Sequence, residues 1–331
     1  MVCGAAGIDT NTGRATPGAA NGENCSDMNA RMLRLVGALL LVLSARLNAA
    51  ETGSITLAEG SVRLLRGPSV LVASEGVRIQ PGDMLETDNR GISVVEFGDG
   101  LLLGLGPGSR VYLPEGIARS KNAEPGQPII LLAGWLKLES GKQASVDGYR
   151  ILTTVMGAST RDAKLLVHVA EQRASLFLES GSARILEPDE AGRPTRGAAL
   201  SAGQFASRVA TQRTSVQARP EAGFLANMPR GFRDALPARP DRLKANPKAP
   251  KADHDARYDE LRDWLQLPQT WRGEMVRRYS VRLRDPEFRK AVAANMARHP
   301  EWHPILYPPR PPEASRQRLR SRESQNTEHP Q

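Results

Sequence analysis

The sequence has almost no cysteine, little histidine and few aromatic residues. Of its 331 residues, two are cysteines, five are histidines and 5% are aromatic. Cys3 and Cys25 both precede the first apolar run, so neither can form a disulfide within a domain that follows that run. We therefore expect such a domain to be stabilised by its hydrophobic core alone.

The sequence also lacks an apolar run long enough to cross a membrane. Its clearest run, Leu35–Ala45, has eleven uncharged residues, follows Arg31 and Arg34, and is followed by the small residues 48–50. This arrangement is typical of a secretory signal. As a helix the run rises only about 16 Å, against about 30 Å of hydrocarbon in a bilayer. We expect export to the periplasm and no full transmembrane span.

Two features leave alternatives open at this end of the chain. Arg46 is atypical of the approach to a cleavage site, so a short uncleaved inner-membrane anchor is an alternative interpretation. No cysteine follows the run, so lipoprotein processing has no acceptor. Residues 1–27 show no periodicity, and a start at Met28 or Met32 would place the signal at the N-terminus; a translated, disordered extension is the alternative.

Charge is unevenly distributed along the chain. Residues 51–225 contain 19 basic and 19 acidic residues, whereas residues 226–331 contain 22 basic and 14 acidic ones. The basic excess is therefore C-terminal, and the length suits one domain with a tail or two domains.

Residues 51–208 have the pattern of a β domain. Short apolar runs alternate with Gly, Pro, Asp and Asn, and helical periodicity is absent. Two runs within Ile92–Leu105 flank Asp99-Gly100, which predicts a hairpin because Asp-Gly tolerates the positive φ of a primed turn. Further turns are predicted at residues 81–83 and 107–109.

A repeat with a constant offset of 121 residues supports a closed unit. Residues 60–65 (GSVRLL) resemble residues 181–186 (GSARIL), and residues 76–83 resemble residues 197–204 at the same offset. We interpret these as two strand-turn-strand units in equivalent places, so that the domain ends near residue 208. Recurring glycine punctuation in a β protein is the alternative explanation.

The remaining chain divides into three parts. Residues 209–252 are rich in proline and predict a linker or an extended strap. Residues 253–307 have helical periodicity, including Asp285 as N-cap and Pro286 at the first helical position. These short helices could bury a small core of their own or pack on the β domain, and their size favours packing on the β domain. Residues 308–331 have the composition of a disordered tail.

The histidines do not form a recognisable catalytic or metal motif. His168 lies in an apolar strand pattern without evident partners, so we expect a structural role there. His299 and His303 bracket Glu301, but Pro300 and Pro304 prevent the helix that a His-Glu-x-x-His zinc site requires. A loop zinc site with a further ligand is the alternative. We predict no catalytic residue, no metal and no cofactor.

Two other motifs have a plain structural explanation. The run Gly104–Gly108 superficially resembles a phosphate-binding loop, but no helix follows it and Pro107 removes a donor amide, so turns explain it better. The C-terminal region is rich in basic residues, and a solvated face is the simplest interpretation. Anionic lipid headgroups or an acidic protein are alternative partners, whereas nucleic acid is not expected for an exported protein. The basic residues are Arg272, Arg277, Arg278, Arg282, Arg284, Arg289, Lys290 and Arg298.

Residues 60–113 resemble the FecR domain family. The resemblance is carried by the strand at residues 60–65, the turn pattern at residues 76–83, the hairpin at Asp99-Gly100 and the apolar strand that ends at Tyr112-Leu113. The block at residues 179–184 is similar to the looser second half of the family, so that the resemblance covers residues 53–208.

The resemblance implies a mainly β fold, either a short-strand sandwich or a solenoid-like arrangement, followed here by a small helical region. It also implies a periplasmic module for protein contacts and envelope signalling, with no catalytic residues. No sigma-binding segment precedes the expected signal, so we do not expect direct anti-sigma activity. We predict a non-enzymatic binding module for an envelope protein or glycan; a structural component held by an uncleaved anchor is the alternative.

Overall fold

Fifteen strands form one sheet in the computed structural model. The structure describes residues 53–114, 127–141, 148–189, 193–210, 212–267 and 269–308, all within the compact unit Ala50–Gln331. The predictions for residues 1–52 and 309–331 lie outside these ranges. The strands are β1 (Ser54–Glu59), β2 (Val62–Arg66), β3 (Ser69–Ala73), β4 (Asp83–Thr87), β5 (Ile92–Glu96), β6 (Leu102–Leu105), β7 (Arg110–Leu113), β8 (Ile129–Glu139), β9 (Tyr149–Leu152), β10 (Gly157–Ala170), β11 (Arg173–Pro188), β12 (Pro194–Ser201), β13 (Phe205–Val209), β14 (Ser215–Gln217) and β15 (Lys251–Asp255).

Short helices follow the strands along the chain. The α-helices are α1 (Ala222–Asn227), α2 (Pro240–Lys244), α3 (Tyr258–Leu261), α4 (Gln269–Tyr279), α5 (Pro286–Ala294) and α6 (His303–Leu306). The 3₁₀ turns are Arg230–Phe232, Trp264–Gln266, Ser280–Arg284 and Pro300–Trp302. The predicted mainly β fold with a small helical region is confirmed.

The sheet bends back on itself because its longest strands pair with different neighbouring strands at their two ends. Its main path runs β14-β13-β11-β10-β9-β8-β7-β4-β2-β3-β15, and β1, β5 and β6 join it through β8. Strand β8 pairs with β7 through residues 130–133 and with β6 through residues 136–139. Gly134 lies between these two stretches with φ of +81°, a conformation that favours glycine. The named strands pair antiparallel except for a short parallel contact between β8 and β9, and Val77 forms an isolated parallel bridge with Lys248.

The folded sheet encloses one large hydrophobic cluster. Alternate residues of β8, such as Leu136 and Leu138, point into this cluster together with apolar residues from most other strands. The residues that alternate with them, Trp135 and Lys137, face the opposite side of the sheet. This alternation leaves two outer faces that other parts of the chain cover.

The C-terminal helices cover one outer face, as we expected from their size. Side chains of the sheet pack there against apolar residues of α3, α4, α5 and the turn at Pro300–Trp302. The sheet contributes Leu65, Val70, Met84, Tyr112 and Ile130 to this contact. The predicted cap of α5 is also confirmed, because the Asp285 carboxylate accepts hydrogen bonds from the backbone of Glu287 and Phe288.

Residues 222–239, which we call the strap, cover the other outer face. The strap lies within the segment predicted as a linker or extended strap. Its side chains Phe224, Met228, Phe232 and Leu236 recur at every fourth position and are buried against Trp135, Leu166 and Phe205. Beyond the strap, β15 pairs with the edge of β3, and both β14 and β15 add strands to the sheet after residue 208.

The predicted turns agree with the structure in position, and the repeat agrees in part. β5 and β6 form an antiparallel hairpin around Asp99-Gly100. Gly100 has φ of +85° but Asp99 has no positive φ, so the turn is not the primed turn that we predicted. In the repeat, Gly60 and Gly181 have φ of +73° and +84°, and the hairpins β2–β3 and β11–β12 follow them. Gly82 and Gly203 also share a positive φ in the turn before the next strand. The equivalence is partial, because residues 197–201 belong to β12 whereas residues 76–80 lie outside the named strands.

Candidate binding cleft

A cleft of about 480 Å³ opens on the sheet, and strand and turn residues form its lining. Strands β2, β4 and β7 and the turns beside them supply its walls, so a rigid platform holds its side chains. This volume is within the range of small-ligand sites, about 300–1,000 Å³. The lining residues are Ser61, Arg63, Glu86, Thr87, Asp88, Asn89, Gly108, Arg110 and Ala133.

Glu86 is the central carboxylate of the cleft and is largely buried. One of its oxygens lies 2.6 Å from Nη2 of Arg63 on β2, and the other lies 3.8 Å from Nε of Arg110 on β7. The indole Nε1 of Trp264 donates a hydrogen bond of 3.2 Å to Oε1 of Glu86 from the helical region. Arg110 also pairs with Asp263. The cleft therefore joins the sheet to the helices through charged hydrogen bonds.

Glu260 supplies a second carboxylate from the helical side. Its Oε1 lies 3.2 Å from Nη1 of Arg63, and both of its oxygens lie 3.0 Å from Nε2 of His254 on β15. Burial would raise the pKa of Glu260, but hydrogen bonds from the Arg257 backbone and from His254 outweigh it and lower the pKa. For Arg63, burial would lower the pKa, but Glu86 and Glu260 outweigh it and raise the pKa.

A turn between β4 and β5 fixes the outer rim of the cleft. The carboxylate of Asp88 accepts backbone hydrogen bonds of 2.8 Å from Ser61 and Arg90, and these bonds lower its pKa. Thr87 Oγ1 donates to the carbonyl of Gly106 at 2.5 Å. The run Gly104–Gly108 is thus the end of β6 and a turn, as its sequence predicts, and Gly108 lines the cleft.

The chemistry of the cleft favours binding. Its lining has two guanidinium groups, Arg63 and Arg110, and two carboxylates, Glu86 and Asp88, so its charges balance. Fixed donors and acceptors of this kind match polar, uncharged groups such as sugar hydroxyls or peptide amides. Sequence reasoning missed these residues, and their one local signal is a charged residue inside the apolar strand β4 (DMLET).

The three histidines considered from the sequence, His168, His299 and His303, do not line the cleft and do not come together. His168 on β10 stacks on Trp135 with ring centroids 4.0 Å apart, and burial, with a smaller effect of Arg173, lowers its pKa from 6.5 to about 4. His299 is buried beside Tyr258, and burial followed by the charge of Arg272 lowers its pKa.

His303 is exposed and packs against Tyr307 instead of turning toward His299. Glu301, between the two histidines in sequence, forms an ion pair of 3.3 Å with Arg272. Within the described ranges, no group of three or more His, Cys, Asp or Glu residues could hold a metal ion.

A fully buried lysine, also missed from the sequence, fastens the strap. Nζ of Lys137 lies 2.8 Å from the carbonyl oxygens of both Phe232 and Asp234 and 2.9 Å from Oε2 of Glu179. Beside it, a carboxylate oxygen of Glu139 accepts a hydrogen bond from the backbone of Leu236. The strap is therefore held by charged hydrogen bonds as well as by its apolar side chains.

Comparison with known proteins gives little further information. No protein-family model matches the chain, and no curated protein matches it. Two crystal structures of a candidate anti-sigma factor from Parabacteroides distasonis ATCC 8503 are similar in part, at TM-scores of 0.32 and 0.33 and identities of 8% and 9%. Each alignment covers 41% of this chain and 59% of the other. Among the described residues, no helix combines the length and apolar character needed to span a bilayer.

Proposed function

We propose that this chain is an exported, non-enzymatic module of the bacterial cell envelope that binds a protein or glycan partner in the cleft on its sheet, beside its C-terminal helices. The resemblance of residues 53–208 to the FecR domain family supports a role in envelope sensing or signalling. The apolar run Leu35–Ala45, with its preceding arginines, supports secretion to the periplasm.

The observation that carries the proposal is the set of paired charges around Glu86. Arg63 and Arg110 are each held by carboxylates, and each side chain is still more than a third exposed at the cleft. Their guanidinium groups are thus fixed in position and accessible, which lowers the entropy that binding must overcome. The hydroxyl group of Thr87 is bonded to backbone, so it is not presented as a nucleophile.

The proposal is tested by site-specific photo-crosslinking in a Gram-negative host, combined with fractionation and N-terminal sequencing. A photoreactive residue replaces Asn89, which is exposed at the cleft, and in the control chain it replaces Gln217, which is exposed on β14. We expect a mature start near Glu51, a soluble periplasmic chain, and one dominant adduct that forms only from position 89.

Other outcomes contradict part or all of the proposal. A cytoplasmic chain would overturn it. Equal adducts from positions 89 and 217 would exclude the cleft as the binding site. An uncleaved, membrane-bound chain would favour the alternative, a structural component of an envelope assembly held by its N-terminal segment.

A further inference from the structure

The basic side chains of the C-terminal region fall into two groups in the structure. Several are tied to acidic partners: Arg272 to Glu301, Arg277 and Arg278 to Glu274, and Arg282 to Asp255 and Asp285. The others make no ion pair or hydrogen bond with the described residues. These are Arg284, Arg289, Lys290 and Arg298, and all four side chains are exposed.

Arg284, Arg289 and Lys290 lie within seven residues of sequence around the start of α5, and we call them the basic triad. Arg284 ends the 3₁₀ turn Ser280–Arg284, and Arg289 and Lys290 lie on α5, whose buried face is formed by Phe288 and Val292. Residues 280–298 contain five basic and two acidic residues. One of these acids, Asp285, already caps α5 and pairs with Arg282. The other, Glu287, is exposed in the first turn of α5, so the triad and Glu287 together keep a net positive charge.

An apolar side chain adjoins this charge. Val281 is 43% exposed and precedes Arg284 by three positions in the same 3₁₀ turn, where side chains at i and i+3 are eclipsed. Arg277 lies four positions before Val281, at the end of α4, and is 77% exposed. Cations on either side of an exposed apolar residue are typical of a surface that lies on a bilayer, with phosphate groups around it and acyl chains below.

We propose that the basic triad and Val281 form a contact surface for a bilayer of anionic phospholipids. A membrane supplies many phosphates in one plane, and its lipids move to meet flexible arginine and lysine side chains. The triad fits this partner because its side chains are held by no local acceptor. The surface differs from the cleft, whose arginines are paired with carboxylates, so the two contacts are independent of each other.

The test is co-sedimentation of the purified chain with vesicles of phosphatidylcholine alone and with vesicles containing 25% phosphatidylglycerol, at about 0.15 M salt. We expect binding only to the anionic vesicles. The variant Arg284→Gln/Arg289→Gln/Lys290→Gln is expected to bind them about 10- to 100-fold more weakly, since each cation near an anionic surface contributes of the order of tenfold or less.

A matched control removes the same number of charges elsewhere. Arg196, Arg213 and Arg219 are exposed, and none of them forms an ion pair within the described residues. We expect Arg196→Gln/Arg213→Gln/Arg219→Gln to retain wild-type vesicle binding. Equal losses in both triple variants would show an effect of net charge alone and would overturn the proposal. Absence of wild-type binding to anionic vesicles would also overturn it. This holds even if the triad proved necessary for binding an acidic protein.

Discussion

The ammonium group of Lys137 donates a hydrogen bond of 2.8 Å to the carbonyl oxygen of Phe232, across 95 positions of sequence. The Lys137 side chain is only 1% exposed, so its charge is removed from water and depends on these carbonyl and carboxylate partners. The same bonds hold the strap in register on the sheet. Stability of the sheet and attachment of the strap are thus coupled at one side chain.

Replacing Lys137 by methionine should destabilise the protein by about 3 kcal/mol. The substitution removes the charge but leaves Glu179 and two strap carbonyls without their partner. Urea unfolding would measure the change. The control is Lys164→Met, because Lys164 is 43% exposed and contacts Glu139 at 3.4 Å, so its loss should cost less than about 1 kcal/mol. Equal costs for the two variants would contradict the role given to Lys137.

Replacing Phe232 by alanine should cost about 3–5 kcal/mol and make the strap more susceptible to proteolysis. Phe232 is fully buried in the cluster beneath the strap, so the change leaves a cavity there. Leu225, on the same strap, is 44% exposed, and Leu225→Ala should change stability by less than about 0.5 kcal/mol. Limited proteolysis with N-terminal sequencing would identify the cut sites, and cutting that begins outside residues 222–239 would count against the prediction.

Two glycines with the same backbone conformation should respond differently to alanine. Gly181 and Gly203 both have φ of +84°, which costs an L-residue about 1–2 kcal/mol. A Cβ atom at Gly203 would meet nothing within 4 Å, whereas at Gly181 it would lie 1.9 Å from the carbonyl oxygen of Asp162. Gly181→Ala should therefore cost at least about 2 kcal/mol more than Gly203→Ala in denaturant unfolding. Similar losses of unfolding free energy in the two variants would show that β11 can move away from Asp162 without loss of stability.

Local signals in the sequence predict the local parts of this structure. The hairpin at Asp99-Gly100 depends on Gly100, which has φ of +85°, and the α5 cap depends on Asp285 and the backbone directly after it. Both interactions lie within a few residues, so their sequence pattern is sufficient.

The cleft and the strap depend on contacts that no local pattern contains. Glu86 and Trp264 are 178 positions apart in sequence. The strand pattern around Lys137 predicts an exposed side chain, and only the packing of the strap buries it. The apolar positions of the strap recur at every fourth residue, but Pro229 between them and Pro237 directly after them mask a helical pattern. The sequence predicts the strands and turns, whereas burial of these charges follows only from the tertiary packing.

The folded protein should lose stability as the pH falls from about 6.5 towards 4, in part through His168. In the unfolded chain a histidine has a pKa near 6.5, whereas burial against Trp135, with a smaller effect of Arg173, lowers the folded pKa of His168 to about 4. Protons therefore bind the unfolded state first in this window, and the stability present above pH 6.5 is lost progressively. His299 shifts in the same direction, so a variant is needed to isolate His168.

His168→Phe should remove the contribution of His168 to this pH dependence. Between pH 7 and pH 5 the wild type should lose about 1 kcal/mol more stability than the variant, after allowance for solvent screening of a partly buried group. Urea midpoints at pH 7, 6 and 5 would measure the difference. His303 is exposed, so His303→Phe should keep the wild-type pH dependence. If His168→Phe kept it too, the stack on Trp135 would not be the origin of the acid sensitivity.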